Sequence, residues 1–250
     1  WPKARKENKM EQSLIVPDDV KAALAVAGWD VSAELEDLTT ESSGFELPRV
    51  RIDHKDSGKH IMYIDTGESY LDDDSQEISI KGNLLTGIVF AEQSIKALWE
   101  EGAEVPKCSA IDNVPMGQEP LTDSCKHCEH GFIGGTCKSK VRLYMLAEMD
   151  GQVKPLVFAL SPTSIKHWNA HKKKLHRSNL PIVAVNTTLE LMDVKKGTYR
   201  WAEVKVGIDG IATKEMLMLA KQARDQFEEV TRQITERDYS DPGDTSAEPF

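Results

Sequence analysis

Cys108, Cys125, Cys128 and Cys137 are the chain's four cysteines, spaced C-x16-C-x2-C-x8-C. The central Cys125-Lys126-His127-Cys128 is a knuckle. Two intervening residues let both thiolates reach one tetrahedral zinc while backbone amides turn toward the sulfurs. Gly131, Gly134 and Gly135 give the following loop the freedom to bring Cys137 back to the same ion. Four thiolates close the coordination shell and leave no position for a catalytic water, so the spacing predicts one structural Zn2+. His127 and His130 are alternative ligands, and four reduced thiols is the competing reading. Disulfides are disfavoured, because a 250-residue chain can build a core without stapling. Redox chemistry is disfavoured because this C-x-x-C does not open a helix in a βαβ pattern.

The residues around the cysteines point to a polyanionic partner. In Lys140–Met145, alternation puts Lys140, Arg142 and Tyr144 on one face and Val141, Leu143 and Met145 on the other. The first set predicts an exposed face with two cations and a ring, a mixture suited to phosphates and unpaired bases. Lys126, Phe132 and Lys138 extend it. A second block, "IKHWNAHKKKLHR", supplies Lys166, Lys172, Lys173, Lys174 and Arg177; "TYRW" supplies Tyr199, Arg200 and Trp201. Trp168 and Trp201 read as packing residues, and a merely solvated charged face is the alternative for the lysine run.

The charge distribution agrees with that division. The net charge is −10, yet residues 121–205 carry 14 basic and 7 acidic side chains, whereas residues 1–120 carry 12 and 24, and 206–250 carry 5 and 10. A basic middle is bracketed by acidic ends, so the sum does not exclude nucleic acid. Asp53, His54, Asp56 and His60 read as alternating polar residues near a turn rather than as an acid–base cluster. With no phosphate loop, dinucleotide fingerprint or nucleophile elbow, the chain is expected not to be an enzyme. No apolar run reaches the roughly 20 residues of a membrane helix, and the expected location is the cytoplasm.

The elements that must position these residues are mostly strands. Residues 1–16 form a polar arm, and 17–44 a short helical segment opened by Pro17-Asp18-Asp19. Residues 45–212 read as one β-domain with the zinc insertion at 106–140. Eight β-branched stretches separated by Gly, Asp and Ser predict its strands, with a helical turn or two from Ser94 to Glu101. Asp150-Gly151 marks a hairpin, "DVKKG" a second one, and Ser161-Pro162 opens a helix. Thr213 caps a helix at 213–237 whose core stripe is Met216, Leu217, Leu219, Ala220, Ala223, Phe227 and Val230. Residues 238–250 are too rich in Pro, Gly, Ser and Asp to offset the entropy of ordering and form a disordered acidic tail.

The tail closes on "DPGDTSAEPF", an acidic peptide with a terminal aromatic. Together with "PKCSAIDNVP", "PLTDSCKHCEHGFIGGTCKSKVRLYML" and "LVFALSPTSIKHW", it resembles phage-type, zinc-containing single-stranded DNA-binding proteins. The resemblance covers roughly residues 45–206 and the last ten. The acid density at the tip is thinner than in the bacterial pattern, with Thr245, Ser246 and Ala247 interrupting it. The fold it implies is mainly β (α+β): an OB-fold-like antiparallel barrel with an inserted zinc loop and a long C-terminal helix. The implied function is protection of single-stranded DNA in phage replication or recombination, in the host cytoplasm, with possible homo-oligomers. Asp241, Asp244, Glu248, Pro249 and Phe250 would recruit a polymerase, helicase, primase or recombination nuclease. Two alternatives are a sequence-specific duplex-binding regulator or replication initiator, and a zinc-containing interaction factor that binds no nucleic acid.

Overall fold

A computed structural model describes residues 47–54, 59–66, 77–100, 106–116, 120–131, 135–149 and 151–226. The polar arm, the 17–44 segment, residues 67–76, Phe132, the 227–237 part of the expected C-terminal helix with Phe227 and Val230, and the C-terminal tail lie outside them. The chain divides after Glu46, and everything below concerns the second unit.

In order, the elements are β1 (Arg49–His54), β2 (His60–Asp65), β3 (Glu77–Ser79), β4 (Leu84–Leu98), β5 (Cys108–Ile111), β6 (Val114–Met116), β7 (Lys138–Met149), β8 (Gln152–Leu160), α1 (Pro162–Arg177), β9 (Val185–Lys196), β10 (Tyr199–Ile211) and α2 (Lys214–Gln226). The protein is mainly β, and its ten strands form one sheet curled into a half-barrel. The path runs β10-β9-β4-β7-β8-β1-β2-β3, with β5 and β6 branching from the far end of β4. Pairing is antiparallel except where β1 meets β8 in parallel register, Val50 opposite Phe158.

Of the helical turns expected from Ser94 to Glu101, Ser94–Leu98 are instead the last five residues of β4, a strand of 15 residues, and Glu101 lies outside the described residues. Ser94–Leu98 alternates only imperfectly, but β5 and β7 flank it and supply ladder partners on both edges, which overrides local propensity. A bulge between Val89 and Ala91 bends the strand. Nearby, a Cβ on Gly87 would fall 2.2 Å from the Leu146 carbonyl oxygen, so only glycine permits this approach to β7. Two strands absent from the sequence reading, β5 and β6, turn through Asp112-Asn113, both at positive φ.

Side chains of the curled face make the main core: Met62, Ile64, Val89, Leu143, Met145, Leu156, Phe158, Leu189 and Val204 around the fully buried Trp168. The opposite face carries a second cluster in which Ala220 and Ala223 of α2 seat against Ile88, Phe90, Tyr144 and Leu146. Thr213 caps α2, its Oγ1 accepting from the Met216 amide at 3.3 Å. Of the expected stripe, Met216, Ala220 and Ala223 face inward, but Leu217 and Leu219 are exposed. Only the line through 216, 220 and 223 meets the sheet, and positions 217 and 219, on either side of it, face outward.

α1 closes the open edge of β10. Ser164 Oγ accepts the Val204 amide at 2.9 Å, satisfying a donor that an edge strand would otherwise leave to solvent. Glu203 of β10 accepts from Lys166 Nζ (2.8 Å), His167 Nε2 (2.9 Å) and Trp201 Nε1 (2.9 Å). Trp168 stacks on His171, whose pKa is held below its ordinary value by burial and by Lys174. Burial pushes the Glu203 carboxyl up, but its three hydrogen bonds and the Lys166 charge outweigh that and hold it at about 2.

A carboxyl depressed on folding stabilises above its unfolded pKa and loses that contribution as pH falls through the folded one. The α1–β10 contact is therefore expected to weaken from about pH 4.5 down to about pH 2. Glu203→Gln should lower stability by about 2 kcal/mol at neutral pH and flatten the acid limb of a denaturation series. An unchanged limb would remove Glu203 from this role.

Candidate nucleic-acid interface and cysteine cavity

The four cysteines converge from separate elements. Cys108 starts β5 opposite Leu98 of β4, and Cys137 immediately precedes Lys138, which pairs with Ala97 on the other edge of the same strand. The end of β4 thus stands between them. Cys125-Lys126-His127 is a 3-10 turn capped by Ser124, whose Oγ accepts from the Lys126 amide at 3.4 Å. The Cys125 amide reaches the Asn113 carbonyl at 3.4 Å, and the Cys137 amide reaches that of His130 at 3.0 Å.

All four thiols and His130 line one cavity of about 10 Å³, the size of a single water-sized sphere. Burial, then the neighbouring Cys125 thiol, pushes Cys137 up to about 11, with Lys96 opposing and Cys108 and Cys128 adding to the rise. Cys125 is raised by burial as well, with Lys96 again opposing. A cation among the four sulfurs would relieve what raises Cys125 and Cys137. Among the described residues no three His, Cys, Asp or Glu side chains form a ready metal-holding group. The thiols share a cavity rather than a completed tetrahedron.

The face expected on β7 is corrected by burial. Lys140, Arg142 and Tyr144 are 3%, 3% and 2% exposed. The reason is position: β7 is central, and both of its faces are covered. Gln93 Oε1 on the adjacent strand accepts from Arg142 Nη2 at 2.9 Å and from Tyr144 Oη at 3.1 Å, and the Arg142 guanidinium lies 5.7 Å from the Tyr144 ring centre. Strand alternation separates two faces without saying which one meets solvent. Lys126 and Lys138 are exposed beside the cysteine cavity, and Phe132 falls outside the described residues.

On α1 the cations divide. Lys166 is held by Glu203, and Lys172 by Glu92 at 3.0 Å, 5.9 Å from the centre of the Trp168 ring. Lys173, Lys174 and Arg177 are exposed on the last turns, where Lys172, Lys173, His176 and Arg177 line a shallow depression. Trp168 is a core residue, as its place in the sequence predicted.

A further group of cations lies on the β9–β10 hairpin. β4 pairs with β9 only from Thr187 to Glu190, so beyond Glu190 the hairpin has left β4 and β9 pairs with β10 alone. Gly197 at φ 63 opens a two-residue turn, and every residue from Lys195 to Arg200 is exposed. Arg200 pairs with Asp193 at 3.3 Å, and Asp193 also approaches His60 Nε2 at 3.5 Å. Lys195 and Lys196 escaped the sequence reading as contact residues. Their place directly before the turn glycine was the available signal.

No known protein family, curated protein or solved structure matches the chain.

The inward placement of Arg142 sets an expectation for stability. Arg142→Met removes one of the two donors to Gln93 Oε1, the charged one, and leaves Tyr144 Oη as the other; losing this buried charge-assisted bond should destabilise by about 1–3 kcal/mol. A double-mutant cycle with Gln93→Leu should show coupling of at least about 0.5 kcal/mol; strict additivity would mean that the pair is not energetically joined.

Proposed function

We propose that this protein binds single-stranded DNA without strong sequence preference. The observation that carries the reading is the hairpin tip: Lys195, Lys196 and Arg200 are exposed there together with Tyr199, itself 56% exposed. Cations alone suit any polyanion, but a ring left in water beside them suits a strand whose bases are unpaired. The exposed Lys173, Lys174 and Arg177 add phosphate-binding charge on α1. In this reading the curled sheet is an OB-like barrel, and the acidic tail around Asp241, Asp244, Glu248, Pro249 and Phe250 recruits replication proteins. The resemblance noted from the sequence supports both points.

We further assign Cys108, Cys125, Cys128 and Cys137 to one structural zinc. The support is their convergence on a cavity of single-ion size. The ion would convert the four thiols into thiolate ligands and pin β5 and the knuckle to the end of β4.

Fluorescence titration should show labelled oligo(dT) bound more tightly than duplex. The six exposed cations named above set a slope of log K against log salt of about −4 if each meets a phosphate. Equal binding of a duplex of one sequence would favour a regulator, and no binding to either would leave an interaction factor. Elemental analysis should find one zinc per chain, and Cys137→Ser should lose it with a lower Tm. A metal-free protein whose melting is insensitive to chelator and to added zinc would remove the zinc assignment.

A further inference from the structure

The six exposed cations of the proposed DNA-binding surface fall into two groups that differ in what accompanies them. Those on α1 stand among Lys, His and Arg side chains, because the ring of this helix, Trp168, is wholly buried. Those on the hairpin stand with two aromatic residues. Register places Tyr199 opposite Lys196 and Trp201 opposite Val194, without a bulge between them. Residues opposite one another in an antiparallel pair share a face, as do residues two apart on a strand. Tyr199, Trp201, Lys196 and Val194 therefore occupy one side of the ribbon.

The two rings are not equally free. Trp201 is half-buried, and its Nε1 donates to Glu203 Oε1 at 2.9 Å, the same oxygen that takes Lys166 Nζ at 2.8 Å. The indole is thus tethered by its edge to the α1–β10 clamp. Tyr199 has its ring in solvent. Two residues along a strand advance about 6.6 Å, a step that lets neighbouring bases of an extended strand meet successive rings. The cation opposite Tyr199 can meet the intervening phosphate.

From this arrangement we infer that Tyr199 and Trp201 form a two-ring stacking platform on the β9–β10 ribbon that discriminates single-stranded from duplex DNA, while the α1 cations contribute charge alone. Glu203 is the positioning residue for Trp201. The platform rests on the proposal that the protein binds single-stranded DNA and adds which residues carry the preference for unpaired bases.

The test compares full-length wild type, Tyr199→Phe, Tyr199→Ala and a Lys173→Gln/Lys174→Gln double variant. Each is titrated with oligo(dT), with an abasic oligonucleotide of equal length and with duplex, across a salt series. Melting curves should match, because all of these side chains are exposed. Tyr199→Ala should lose roughly 10-fold for oligo(dT), the loss of one stacked base, and little for abasic strand or duplex, with an unchanged salt slope. Tyr199→Phe should restore the wild-type value. The α1 double variant should weaken all three ligands and make the single-strand slope shallower by about 1.4.

If wild type binds oligo(dT) and Tyr199→Ala binds it equally well, the platform is wrong while the function stands. The platform also fails, and the function again stands, if Tyr199→Ala weakens all three ligands equally. If wild type binds neither oligo(dT) nor abasic strand, the functional reading falls, and the platform with it.

Discussion

Successive stretches of one strand, β4, pair with β9, then β7, then β5, so the hairpin, the core and the cysteine region are referenced to a single continuous backbone. Its path is tightly constrained. At Gly87 the neighbouring β7 backbone comes closer than any side chain would allow, and a bulge two residues on redirects the strand. Its side chains also organise what lies above and below. Glu92 receives Trp168 and Lys172 from α1, Gln93 receives Arg142 and Tyr144, and the Phe90 carbonyl accepts from Arg224 of α2. Both helices are thereby anchored to the same few residues.

Anchoring has a consequence for surface charge. Lys166 and Lys172 are neutralised by Glu203 and Glu92, and Lys140 and Arg142 are taken into the covered layers of the sheet. A count of basic residues between 121 and 205 therefore overstates what a partner would meet. Among the cations left in solvent, Lys173, Lys174 and Arg177 gather at the end of α1 and Lys195, Lys196 and Arg200 at the hairpin tip. Pairing with Glu203 and Glu92 takes Lys166 and Lys172 out of the charge that a partner would meet unopposed. Surface ion pairs contribute little to stability one by one, whereas the Glu203 cluster combines three donors on a nearly buried carboxylate.

Legibility in the sequence followed the range of the interactions. The β7–β8 and β9–β10 hairpins were readable because their turns are encoded by adjacent residues, Gly151 and Gly197 taking the positive φ that those turns require. α1 was readable from Ser161-Pro162 at its start, and the structure shows Trp168, His171 and Leu175 as its buried positions. The knuckle and the gathering of the four cysteines followed from spacing, with Cys108 and Cys137 brought to the end of β4 by their own strands. Ser94–Leu98 was misread because a strand paired on both edges needs no clean alternation. The β7 face was misread because period-2 patterning assigns sides and cannot say what covers them.

A mainly β chain, its hairpins, a cysteine cluster of metal-ligand spacing and a basic middle were all settled by the order of the residues, since each is local composition, period or turn chemistry. Which cations remain in water was settled by tertiary contacts alone. That choice depends on partners distant in the chain: Gln93 for Arg142, 49 residues away, and Glu92 for Lys172, 80 residues away. The same contacts make the exposed ring beside those cations Tyr199 and not Tyr144. One belongs to a ribbon that outruns the sheet, and the other to a strand enclosed on both faces.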